Sequence, residues 1–166
     1  MAIRTLFGLV VLALAAIPAK AEENLFVKFR SLTPEAALEL AQATLEACRA
    51  GNYQVAVAIV DRAGSVQVVL RDRFAGVHTP KTAVLKARTA VSFRTNTTEM
   101  AEQTQPGKEA SGVRSIPGVL MVGGGVMVRA AGELVGGIGV SGAPGGQLDE
   151  DCAVKGLEAI QDRLDF

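Results

Sequence analysis

Tryptophan is absent from this chain of 166 residues, and tyrosine and histidine occur once each, as Tyr53 and His78. So little aromatic surface excludes a platform for stacking bases or sugars. An excess of one charge is missing too. Lys and Arg number 17, as do Asp and Glu, so nothing is left over to hold a phosphate backbone, and nucleic acid is excluded as a partner. The two cysteines, Cys48 and Cys152, lack a Cys-x-x-Cys spacing, and with one histidine they are too few for a zinc centre. A lone histidine without a Ser or Cys partner makes no triad, and no acidic pair stands out. No catalytic set is assigned, and whether the chain is an enzyme stays open.

One long apolar run is present, from Leu6 to Ile17, with Arg4 before it and Ala19-Lys20-Ala21 after it. This is the pattern of a secretory signal over residues 1–21, cleaved before Glu22. The run is shorter than the roughly 20 residues of a spanning helix. The expectation is therefore an exported protein, periplasmic or secreted, with no membrane anchor after cleavage. Removing Arg4 and Lys20 leaves 15 cations against 17 acids. Residues 22–166 suffice for a single domain with one core. An oxidising compartment lets Cys48 and Cys152 join the first and last helices, but two buried thiols are the favoured reading.

Thr33-Pro34-Glu35 predicts a helix start, with Leu38, Ala41, Leu45 and Cys48 on its inner face and Gly51 at its end. Residues 55–61 and 66–71 are β-branched runs about a turn, which predicts a hairpin; Asp61 is placed to bond the turn amides. Thr79-Pro80 predicts a second cap and helix, with Ala83, Ala87 and Ala90 inward, and Asn96 with Glu99 suggests a capping box for a short third helix. The stretches 119–122, 126–130 and 133–140 read as three further strands, and Asp149-Glu150-Asp151 leads into a last helix. The expected fold is α+β, a five-stranded antiparallel sheet with helices packed on it, in the order α-β-β-α-α-β-β-β-α.

The stretch GIGVSG, 137–142, has the G-x-G-x-x-G spacing of a dinucleotide loop, but ten glycines crowd the segment 123–146. A cofactor loop needs a βαβ unit around it. Asp162 stands at the spacing of the ribose-binding acid, yet it lies in the last helical stretch with no strand after it. Gly136, Gly137 and Gly139 are read instead as places where a strand bends or another backbone comes close.

Three segments together, VAVAIVDRAGSVQVVLRD, KTAVLKARTAVSF and IPGVLMVGGGVMVRAAGELVGGIGVSGAPGGQLDEDCAVKGLEAI, resemble the GlcG/HbpS family, whose domain also forms the C-terminal part of PduO-type proteins. The resemblance spans about residues 31–164. One departure is Val126-Met127, where the family pattern has a proline-containing step. The resemblance implies an α+β domain, assembly into a homo-oligomer and, for the exported branch, binding of haem, with haem degradation described for some members. It leaves other readings: a non-catalytic module that partners an envelope sensor or binds another small flat ligand, or an accessory factor of small organic acid or corrinoid metabolism.

Haem requires an apolar slot, cations for its propionates and an iron ligand. His78, before the capped helix, is the candidate ligand for the metal, and its segment looks similar to that of HbpS-like relatives. Arg71, Arg73, Lys81 and Arg94 are candidate propionate partners, and Thr97 a candidate hydroxyl near the iron. Met100 is a further soft donor, whereas Met121 and Met127, set among Val and Leu, read as core.

Overall fold

The computed structural model describes residues 25–164; the signal expected over 1–21 lies outside them. The chain forms α1 (Pro34–Ala50), β1 (Ala56–Asp61), β2 (Val66–Arg71), α2 (Thr79–Phe93), α3 (Thr97–Gln103), a 3-10 turn (Glu109–Ser115), β3 (Gly125–Ala130), β4 (Glu133–Ser141), α4 (Gly146–Glu158) and α5 (Gln161–Leu164). The sheet is antiparallel, in the order β2-β1-β4-β3.

Alternation along β1 sorts the layers. Val57 and Ile59 join the main core under α1 and α4, while Ala56, Ala58 and Val60 meet Ala83, Ala87 and Val91 of α2 on the other face. On that second face a Cβ at Gly137 would stand 2.7 Å from Val91 Cγ1 and 3.0 Å from Ala87 O, and one at Gly139 would overlap Ala83 O. Gly137 and Gly139 of GIGVSG thus let the backbone of α2 lie directly on β4.

The expected five strands are corrected to four. Residues 119–122 form no strand: Leu120 N donates to Thr89 Oγ1 at 2.9 Å, which ties this segment to α2 as a strap. The outer edge of β3, where a fifth strand would pair, is occupied by side chains. Gly125 N donates to Thr97 Oγ1 at 2.7 Å and Met127 N to Asn96 Oδ1 at 3.2 Å. A proline at 127 would have no N–H for the second bond. Asn96, spent on that edge, makes no capping bond to α3, so the expected capping box is absent.

Thr33 caps α1 as expected, accepting from Ala36 N at 3.2 Å, although Leu38 is 41% exposed and Leu40 takes its place inside. Asp61 Oδ1 accepts from Ala63 N and Ser65 N, both at 2.8 Å. The N-cap of α2 is His78 rather than Thr79, whose hydroxyl donates to Gly76 O at 2.8 Å. The expected last helix divides into α4 and the short α5, and α4 begins at Gly146, so the acids at 149–151 lie within it. Cys48 and Cys152 are joined in a disulfide with Cα atoms 5.1 Å apart, correcting the reading as buried thiols. The bridge ties α1 to α4 inside the main core, where both sulfurs are covered.

Candidate functional site

The head of α2, the strap before β3 and the turn between β4 and α4 enclose a cleft of about 540 Å³. Its size is that of a small-molecule site. His78, Thr82 and Leu85 form one wall, Leu120 and Val122 another, and Ser141–Gly146 a third.

His78 is exposed and its ring makes no capping bond. The imidazole folds over Gly76, where a Cβ would come within 2.8 Å of His78 Cε1. Apolar side chains stand open beside it: its chain neighbour Val77 is 91% exposed and Val122, on the facing wall of the cleft, 42%. An accessible imidazole among exposed apolar groups fits a flat macrocycle with a metal at its centre.

The floor is ionic. Lys86 Nζ donates to Asp149 Oδ2 at 2.7 Å and to Val140 O at 2.9 Å, and Asp149 Oδ1 accepts from Ala143 N at 2.9 Å. Burial of the Asp149 carboxyl raises its pKa, outweighing the pull of Lys86 and of the amides. Alongside, Glu150 Oε2 accepts from Thr98 Oγ1 at 2.7 Å, Thr98 N at 3.0 Å and Gly124 N at 3.2 Å. Together these bonds hold two walls of the cleft, the glycine turn and the start of β3, to the helices.

Of the residues singled out from sequence, His78 lines the cleft. Lys81 lies on the adjoining shelf formed by Val69, Pro80, Val84, Leu85 and Arg88. Arg71 Nη1 donates to Ala75 O at 2.8 Å and orders the loop that leads to His78, and Arg73 is exposed on that loop. Arg94 is at the opposite end of α2, roughly 24 Å away at the helical rise, in the left-handed conformation with φ 53°. Thr97 is buried, with its hydroxyl committed to Gly125 N. Neither Arg94 nor Thr97 is brought to the cleft. Met100 and Met121 are buried.

Sequence reasoning missed Lys86, Asp149 and Glu150. A signal existed for the first: Lys86 falls on the alanine face of α2 between Ala83 and Ala90, where a charge has no place unless paired. Among the described residues, no group of three or more His, Cys, Asp or Glu is placed to hold a metal ion.

A family model described as "Haem degrading protein HbpS-like" matches residues 32–158. A crystal structure of a Streptomyces reticuli HbpS double mutant is 40% identical, covers 88% of this chain and 98% of its own, and superposes with a TM-score of 0.77. A crystal structure of a PduOC:heme complex is 32% identical, covers 78% and 95%, and has a TM-score of 0.73. The corrinoid adenosyltransferase PduO of Salmonella typhimurium is 36% identical over 124 residues, 74% of this chain but only 37% of that relative's length.

Proposed function

The chain belongs to the HbpS-like family, and from that premise we propose that it is an exported haem-binding protein in which His78 ligates the iron. Haem is the ligand that the family and the solved relatives support. The observation that carries the residue assignment is the position of His78. The one imidazole of the chain stands uncapped at the mouth of a cleft, among exposed apolar side chains.

In this reading the walls at Leu85, Leu120 and Val122 shield the macrocycle from water, and Lys81 and Arg73 pair with propionates near the rim. Arg71 orders the loop that carries His78. Haem, when bound, would supply the redox chemistry with oxygen or peroxide through which slow haem degradation would proceed. The protein positions the macrocycle, and the Lys86–Asp149 pair in the floor of the cleft holds its walls together.

Titration of the mature protein with haemin tests the proposal. A Soret shift is expected in the wild type and a changed spectrum with at least tenfold weaker binding in His78→Ala. An identical titration in His78→Ala overturns the ligand assignment, and no Soret change at all overturns haem binding. Cell fractionation tests export: a protein of full, unprocessed mass in the cytoplasm overturns it.

A second reading rests on the likeness to PduO, in which the chain is an accessory of corrinoid metabolism. A parallel titration with cobalamin separates the two, since only this reading expects saturable cobalamin binding.

A further inference from the structure

A second cleft, of about 560 Å³, lies between the β1–β2 turn, the second half of α2 and the first part of the strap at 116–119. Arg62 and Ser65 line it from the turn, Arg88 and Ser92 from the helix, and Val91 and Ile116 provide an apolar side. None of its lining residues is acidic.

Arg88 is held in place by the bond from its Nε to Gly64 O at 2.8 Å, which leaves its two terminal amino groups without a protein partner among the described residues. Arg62 is shared only loosely, with Nη1 3.4 Å from Glu133 Oε1 and its guanidinium 4.6 Å over the Phe29 ring. The hydroxyls of Ser65 and Ser92 likewise have no partner among the described residues. Two guanidinium groups, the one of Arg88 fixed on α2, and two hydroxyls lining the same cleft match an oxyanion, which accepts paired N–H bonds from such forks. No acid lines the cleft itself; Glu133 meets Arg62 from outside it and the Asp61 carboxylate is spent on the turn amides of Ala63 and Ser65, so Arg88 carries the unpaired positive charge.

We propose that this cleft is a second binding site, for a small organic molecule with an oxyanion head and a short apolar body. The head meets Arg88 and Arg62, and the body lies along Val91 and Ile116. Arg88 follows His78 by ten residues, about 15 Å along the helix. Arg88 also borders the shelf that carries Lys81, but no residue lining this second cleft lines the cleft of His78, and the inference does not depend on haem binding.

Calorimetric titration of the mature protein with inorganic phosphate and, separately, with succinate tests the site. Saturable binding of at least one probe is expected, weakened about tenfold or more in Arg88→Gln and in Arg62→Gln and unchanged in Lys108→Gln, which removes a charge elsewhere. Preference for phosphate or for succinate identifies the source of the oxyanion. Far-UV circular dichroism confirms that the variants fold, and the thermal shift of the wild type by each probe gives a reading that needs no variant. Absence of saturable binding by both probes, or binding that persists in the Arg62→Gln/Arg88→Gln double variant, overturns the proposal.

Discussion

Asp149 shows how a single carboxyl binds its surroundings together. It joins Lys86 of α2 to its own helix and to the turn at Ala143, all out of water. A buried pair of this kind is costly to make and more costly to break from one side. Because burial raises the folded pKa above the ordinary aspartate value of about 3.9, the folded state holds the proton more tightly than the unfolded chain. The stability from this site is therefore fully present below about pH 4 and is lost as pH rises through the raised value. Asp149→Asn does not titrate. The margin of the wild type over Asp149→Asn is expected to shrink as pH increases above 4, measured by urea unfolding at a series of pH values. A constant margin would show that the carboxyl is not raised.

Among the elements, β4 and α2 form the contact on which the second face depends. Small residues on both sides bring them together: Ala83 and Ala87 on the helix, Gly137 and Gly139 on the strand. Gly139→Ala is expected to destabilise the protein by about 3 kcal/mol or more, since the added methyl has backbone on its far side and nowhere to go. Gly112→Ala, where a Cβ meets nothing within 4 Å, is expected to stay within about 0.5 kcal/mol of the wild type. Thermal denaturation of the pair checks both. The periodicities of α1, β1, β2 and α2 were legible because each follows from local alternation or helical spacing. The segment 119–122 was not. Its composition suits a strand, but a strand also needs a neighbour, and Asn96 and Thr97 occupy the only free edge of β3.

For the molecule as a whole, the disulfide closes a loop of 104 residues and fastens α1 to α4 behind the sheet. In the chain-entropy account, a loop of that order is worth roughly 4 to 5 kcal/mol, and the usual loss on removing a native bridge is about 2 to 5 kcal/mol. Denaturant unfolding of Cys48→Ala/Cys152→Ala is expected to show a loss in that range. A loss well under 1 kcal/mol would mean that packing alone holds the two helices. The bridge also carries α4 and hence Asp149, Glu150 and the floor of the His78 cleft, so the core on one face supports the site on the other.

The sequence by itself determined the helices and strands with clear period, the turn at Asp61, the family, and the place of His78 before α2. Those are local properties, or patterns long enough to be distinctive. Tertiary structure alone decided that the sheet stops at four strands, that the cysteines pair, that α2 is the backbone lying on Gly137 and Gly139, and that Lys86 meets Asp149 across 63 residues. Each of these depends on which backbone or side chain arrives from a distant part of the chain, and burial and hydrogen-bond satisfaction settle that only once the whole domain has closed.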